Sequence, residues 1–241
     1  SLAQNIGSLI QAPQRGIISS SIAALSQAWK DKDMARIQRI YKQSAINQLI
    51  FSVAMFALIW LNFTDGFFTF KMQKSYLDAR WIFFFIGIYR IIDMGTGVNS
   101  QIIGTSTRWR FEFFTGIILL AITLPLNYIL TKYTALGIQG PAIANLFSFT
   151  VYNFIRYWFL KTKYNLQPFT RHTVYTILLG FACYAVCYLL FDKYQGFAWI
   201  VIRSSAFLLL YISGTLFLNL SADVIPIWHT VLKRTGIKKG D

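Results

Sequence analysis

Charge is scarce in this chain, so the places where it interrupts apolar sequence carry the first information about chemistry. Arg15, Arg90, Asp93, Arg156 and Arg203 each lie in a long apolar stretch. A charged group at mid-bilayer costs about 2.5–3.5 kcal/mol on insertion scales, so such residues face a cavity or a partner. Their polar neighbours recur at helical spacing. Gln4, Ser8, Gln11, Arg15 and Ser19 stack along one helical face, as do Arg90, Asp93, Gly97, Ser100 and Gly104, with Gln101 beside them. Asn145, Ser148, Tyr152 and Arg156 form a third stripe. Two readings of the uncharged members stand: a hydrated interior, or helix packing through small and polar residues. Arg15 lies near the middle of its span with no acidic residue one turn away, so packing alone does not account for it. Arg90 and Asp93 are spaced either to neutralise each other or to act on a substrate or a coupling proton. Arg156 and Arg203 are near expected water interfaces, where snorkelling accounts for them, and Glu112 is expected to be solvated.

The elements that must position these residues follow from composition. Of 241 residues, 55% are hydrophobic and only 13% charged, about half the ~25% usual in soluble domains. A water-soluble body is excluded, because too little polar surface exists to cover it. Uncharged or nearly uncharged runs predict about seven helical spans: 2–28, 44–63, 81–103, 113–131, 139–160, 172–191 and 198–219. Runs such as GIILLAITLPLNYIL do not alternate, which excludes a transmembrane β-barrel. The expected fold class is an all-α polytopic membrane bundle over 1–220, followed by a basic tail over 221–241. Spans one, three and five carry the polar stripes and are expected to face the interior, with six and seven peripheral.

The net charge of +14 first suggests nucleic acid, but its distribution argues for topology. Alternate connections place fourteen of the 23 Lys and Arg residues on one side and five on the other. The richer side is cytoplasmic, which puts the C-terminus inside a plasma (inner) membrane and the start of the first span outside. No nucleic-acid partner is expected; anionic membrane lipid is.

Local signals sharpen the elements. Asp33 is placed to cap a short surface helix whose Met34, Ile37, Ile40 and Tyr41 oppose Arg36, Arg39 and Lys42. Gly140-Pro141 marks a helix start, and Pro13 and Pro125 fall inside spans. The glycines of GTG at 95–97 permit close packing or bending. Cys183 and Cys187, one turn apart, are expected to pack as small apolar residues. His172 and His229 form no motif with a carboxylate or cysteine, so no metal, cofactor or catalytic residue is assigned. The chain opens on Ser1 without a basic leader, and an odd span count beginning outside suggests a sequence that starts partway through a larger protein.

Three ordered segments carry a family resemblance. SQAWKDKDMARIQRIYKQS (26–44), following a span with QAPQRG, resembles the connection after the eighth helix of bacterial polysaccharide-biosynthesis flippases. FFFIGIYRIIDMGTGVNSQIIGTSTRWRF (83–111) is similar to the tenth helix and following loop of Bacteroidetes-type members of that multidrug/oligosaccharidyl-lipid/polysaccharide exporter superfamily. LNYILTKYTALGIQGPAIAN (126–145) resembles the family's turn before the twelfth helix. The resemblance covers about 1–220 and implies one lobe of a two-lobed, fourteen-helix transporter, without its first lobe. That lobe or a second copy of this chain is then the expected partner. The implied cargo is a lipid-linked oligosaccharide or polysaccharide precursor moved between leaflets by alternating access. Arg15, Arg90, Gln11 and Ser100 would contact its anionic headgroup, with Asp93 as the coupling group. A membrane-embedded glycosyl- or acyltransferase and a non-transporting half-length scaffold are the competing expectations. The outer loops offer only Asp65, Asp78 and Asp192 as acids for a transferase, none in a paired motif.

Overall fold

The computed structural model describes residues 7–12, 14–71 and 79–223, and within them every regular element is helical. Residues 7–10 are helical and turn at 11–12 before α1 (Gln14–Lys30). There follow α2 (Met34–Thr69), α3 (Ala79–Gly95), α4 (Asn99–Gly104), α5 (Arg110–Lys132), a 3-10 turn (Gly137–Gln139), α6 (Gly140–Tyr164), α7 (Arg171–Phe191) and α8 (Phe197–Phe217). Four of these, α2, α5, α7 and α8, are long and apolar enough to cross a membrane. The chain is therefore a helical, membrane-embedded protein. Gln4, Pro13, Asp78, His229 and residues 224–241 of the expected tail lie outside the described residues.

α2 differs from expectation. The surface helix and the second span are one continuous helix of 36 residues, about 54 Å at 1.5 Å per residue. A hydrocarbon core of about 30 Å cannot contain it, so its first turns, with Arg36, Arg39 and Lys42, project beyond. Asp33 caps this helix as its position predicts, accepting the Arg36 N–H at 2.9 Å. Ile37 and Tyr41 are fully buried and seat the projecting turns on Leu25, Ala28, Ile102 and Leu160.

The first and third expected spans are each interrupted. The first breaks at the turn over residues 11–12, and the third ends at Gly95, turns through Thr96–Val98 and resumes as α4. Gly97 explains the second break. Its φ is +64°, and a Cβ there would stand 2.8 Å from Ser44 Oγ and 2.9 Å from the Ala45 nitrogen. Only glycine tolerates both the left-handed backbone and the approach to α2. Ser44 Oγ accepts the Val98 N–H at 3.3 Å, satisfying a donor the break would otherwise orphan.

Packing radiates from α2, with α3 on one side and α7 and α8 on the other, while α6 lies on α3 and α5 lies on α6. α7 buries Thr176, Gly180, Cys183 and Cys187, and α8 buries Arg203, Phe207, Tyr211 and Thr215. Each is a single stripe at helical spacing, the signature of a helix with one packed face. Both cysteines sit in this apolar seam with Leu49, Val53 and Phe207. The least buried α-helix is α5, where Thr115 is the one buried residue. Phe113, Phe114, Leu120 and Leu124 face outward from it. Gly140 opens α6 as expected, with Pro141 in the first turn, where a missing N–H has no consequence.

Candidate functional site

The polar stripes of α1, α3 and α6 meet at the end of α3. Asp93 stands half-buried there, one turn before the break. Its Oδ1 accepts from Asn153 Nδ2 at 3.0 Å and its Oδ2 from Gln14 Nε2 at 3.3 Å. Asn153, almost fully buried on α6, is the hub: its Oδ1 accepts from Asn99 Nδ2 at 3.1 Å and lies 3.1 Å from Thr96 Oγ1. Thr96 Oγ1 also donates to the Asp93 carbonyl at 2.7 Å, capping the end of α3. One side chain thus ties together both sides of the helix break and the Asp93 carboxylate.

A second charged group adjoins through α4. Ser100 Oγ donates to Glu112 Oε1 at 2.8 Å, and Glu112 also accepts from the Tyr152 hydroxyl and pairs with Arg156. The Arg156 guanidinium lies over the Tyr152 ring, 3.6 Å from its centroid. Arg156 does not snorkel: its side chain is 6% exposed and that of Glu112, the chain's one glutamate, 21%. The expectation fails because it weighed sequence distance from a helix end and not what α5 brings alongside. An internal partner 44 residues away removes the reason to reach for water.

Arg203 departs in the same way. It is buried and donates to Asp65 Oδ2 at 2.7 Å, to the Leu61 carbonyl at 3.2 Å, and to the Phe191 and Tyr194 carbonyls at 3.2 and 2.7 Å. Asp65, expected in an outer loop, is inside α2. One guanidinium thus joins α2, the end of α7 and α8.

The remaining candidates fall around the cluster. Arg90 and Asp93 do not pair; among the described residues the ion pairs are Arg156–Glu112 and Arg203–Asp65. The Arg90 guanidinium lies 4.7 Å from the centroid of the Tyr89 ring, and its buried Nε has no acceptor. Arg15 is exposed in the first turn of α1 and, with Ser8, Gln11, Ala12 and Gln14, lines a recess of ≈ 370 Å³. Gln14, not Arg15, reaches Asp93, because the turn at 11–12 resets the helical register that a continuous span would have had. Gln14, Asn99 and Asn153 are the polar members that sequence spacing passed over, and Glu112, expected to be solvated, is instead drawn into the pair with Arg156. Asn153 had a usable signal, standing three residues before Arg156 on the same helix face.

Chemically the arrangement is a hydrogen-bonded carboxylate at a broken helix, beside a buried ion pair and two arginines with no carboxylate partner. Discontinuous helices at membrane depth are tolerated where they line a cavity or are packed in protein, and they carry binding sites in many transporters. No cluster of three or more metal-ligating side chains occurs among the described residues. Comparison of the chain with protein-family models, with curated proteins and with solved structures yields no match in any of the three.

Proposed function

We propose that this chain forms one lobe of a membrane transporter that moves a lipid-linked oligosaccharide or polysaccharide precursor between leaflets by alternating access. The observation that supports it is the convergence of α1, the broken α3–α4 pair and α6 on the Asp93–Asn153 cluster, with Arg15 and Arg90 beside it. Diphosphate and acidic sugars are anionic, so arginines at the edge of a polar recess attract the headgroup while the polyprenyl chain stays in lipid. Gln11 and Ser100 supply further polar contacts along the same surface. A first lobe, or a second copy of this chain, provides the opposing wall.

In this reading α1, α3–α4 and α6 are also spans, making seven, and the arginine- and lysine-rich loops lie in the cytoplasm of a cell whose inner membrane holds the protein. The two arrangements of the lobes differ by little free energy, and Asp93, at the helix break, is the coupling group that biases them. The test is reconstitution of the full native-length protein in liposomes with a labelled polyprenyl-diphosphate glycan. Exposure of label to the opposite leaflet should require the protein and slow in Arg15→Ala. Unchanged rates in both Arg15→Ala and Arg90→Ala would sink the assignment of the cleft. Product formation from an activated sugar donor would favour a transferase instead.

A further inference from the structure

At the opposite end of the bundle from the Asp93 cluster, a cavity of ≈ 240 Å³ opens between the end of α2, the start of α3 and the end of α7. Trp60, Asp65, Arg80, Tyr184, Asp192 and Arg203 contribute to its wall. Among the described residues neither arginine's buried Nε has an acceptor. Arg203 is 6% exposed, and its terminal nitrogens are taken by Asp65 and three backbone carbonyls. Among the described residues Arg80 has no carboxylate within ion-pair distance, and its guanidinium stands 4.6 Å from the centroid of the Trp60 ring. Asp192 is exposed at the rim.

We propose that this cavity binds the phosphate group of a membrane lipid. Three observations converge on that ligand. A half-buried guanidinium in a polar cavity wall, without a carboxylate partner among the described residues, calls for a ligand rich in acceptor oxygens. Arginine matches phosphate geometry through its planar fork, and stacking on Trp60 holds the Arg80 fork in place. The cavity also lies where helices end and aromatic residues gather, with Trp60, Trp81, Tyr184 and Tyr188 around it. That is the depth of lipid headgroups. The exposed Leu189 and Leu190 on α7 offer the acyl chains an apolar path away from the site. Asp65 is neutralised by Arg203; the wall's other carboxylate, Asp192, is exposed at the rim, where water and salt screen its charge, and Arg80 is the cation left for the ligand.

This site is independent of the transport reading, since a lipid phosphate can bind there whatever the lobe carries. The experiment is native mass spectrometry of the full chain in phosphate-free detergent, titrated with dioctanoyl phosphatidic acid, dioctanoylglycerol or inorganic phosphate. One saturable phosphatidic acid adduct is expected, and none with dioctanoylglycerol. Arg80→Gln should weaken it about tenfold, the loss of a charge-assisted contact, while Arg39→Gln on the exposed face of α2 leaves it unchanged. The thermal midpoint of lipid-free Arg80→Gln should match wild type, which separates lost binding from lost fold. Equal lipid affinity in wild type and Arg80→Gln overturns the site. Inorganic phosphate competing as strongly as the lipid overturns the lipid as its source.

Discussion

Asn153 reaches across from α6 to donate 3.0 Å to Asp93, while its own carbonyl oxygen accepts from Asn99 on the far side of the helix break. The amide serves both directions at once, its NH2 toward the carboxylate and its oxygen toward Asn99. Asn153→Leu should lower stability by about 2–3 kcal/mol, because it strands a carboxylate and an amide donor together. Detergent unfolding followed by circular dichroism measures this. Asn153→Asp should be worse still, since it sets two carboxylates at hydrogen-bond distance.

The Arg156–Glu112 pair predicts a non-additive cycle. Arg156→Leu or Glu112→Leu alone leaves a buried charge and should cost about 3–5 kcal/mol. The double substitution should recover much of that loss. Additive losses would mean that each residue acts through other partners.

Gly97 gives a sharper contrast. Gly97→Ala must place a Cβ against Ser44 and Ala45 at positive φ, so loss of fold or of thermal stability is expected. Gly104→Ala, where a Cβ meets nothing within 4 Å, should be neutral to stabilising. Equal midpoints for the two variants would refute the account of the break.

α5 predicts an accessibility pattern. With only Thr115 buried, single cysteines at Phe113, Leu120 and Leu124 should all be labelled by a membrane-soluble maleimide. Cysteines at Phe207 or Leu25 should be protected, because both positions are fully buried. Protection along one face of α5 in the native membrane would instead locate a partner's contact there.

What sequence spacing could show, and what it could not, divides by range. Local signals held: Asp33 caps α2, Gly140-Pro141 opens α6, and the cysteines pack in an apolar seam. Those depend on neighbours within a turn or two. The stripes on α3 and α6 were visible in outline, yet the third ran through Tyr152 and missed Asn153 beside it. At GTG 95–97 the sequence reading, close packing or bending, is met by Gly97, which does both; that the helix breaks there was not visible, because the approach of Ser44 and Ala45, over fifty residues earlier, is what requires the glycine. The fates of Arg156 and Arg203 were hidden for the same reason. A lone arginine near a helix end looks the same in sequence whether it meets water or a distant carboxylate.

The Asp65–Arg203 clasp also has a history in time. Asp65 enters the membrane with α2, but the arginine that neutralises it is synthesised 138 residues later. At about 5–20 residues per second, the ribosome needs about 7–28 s to deliver it. Through that interval Asp65 lacks the guanidinium that it meets in the finished fold, and the contact between α2 and α8 cannot close. Chains that stop before Arg203 therefore leave Asp65 without its ion-pair partner.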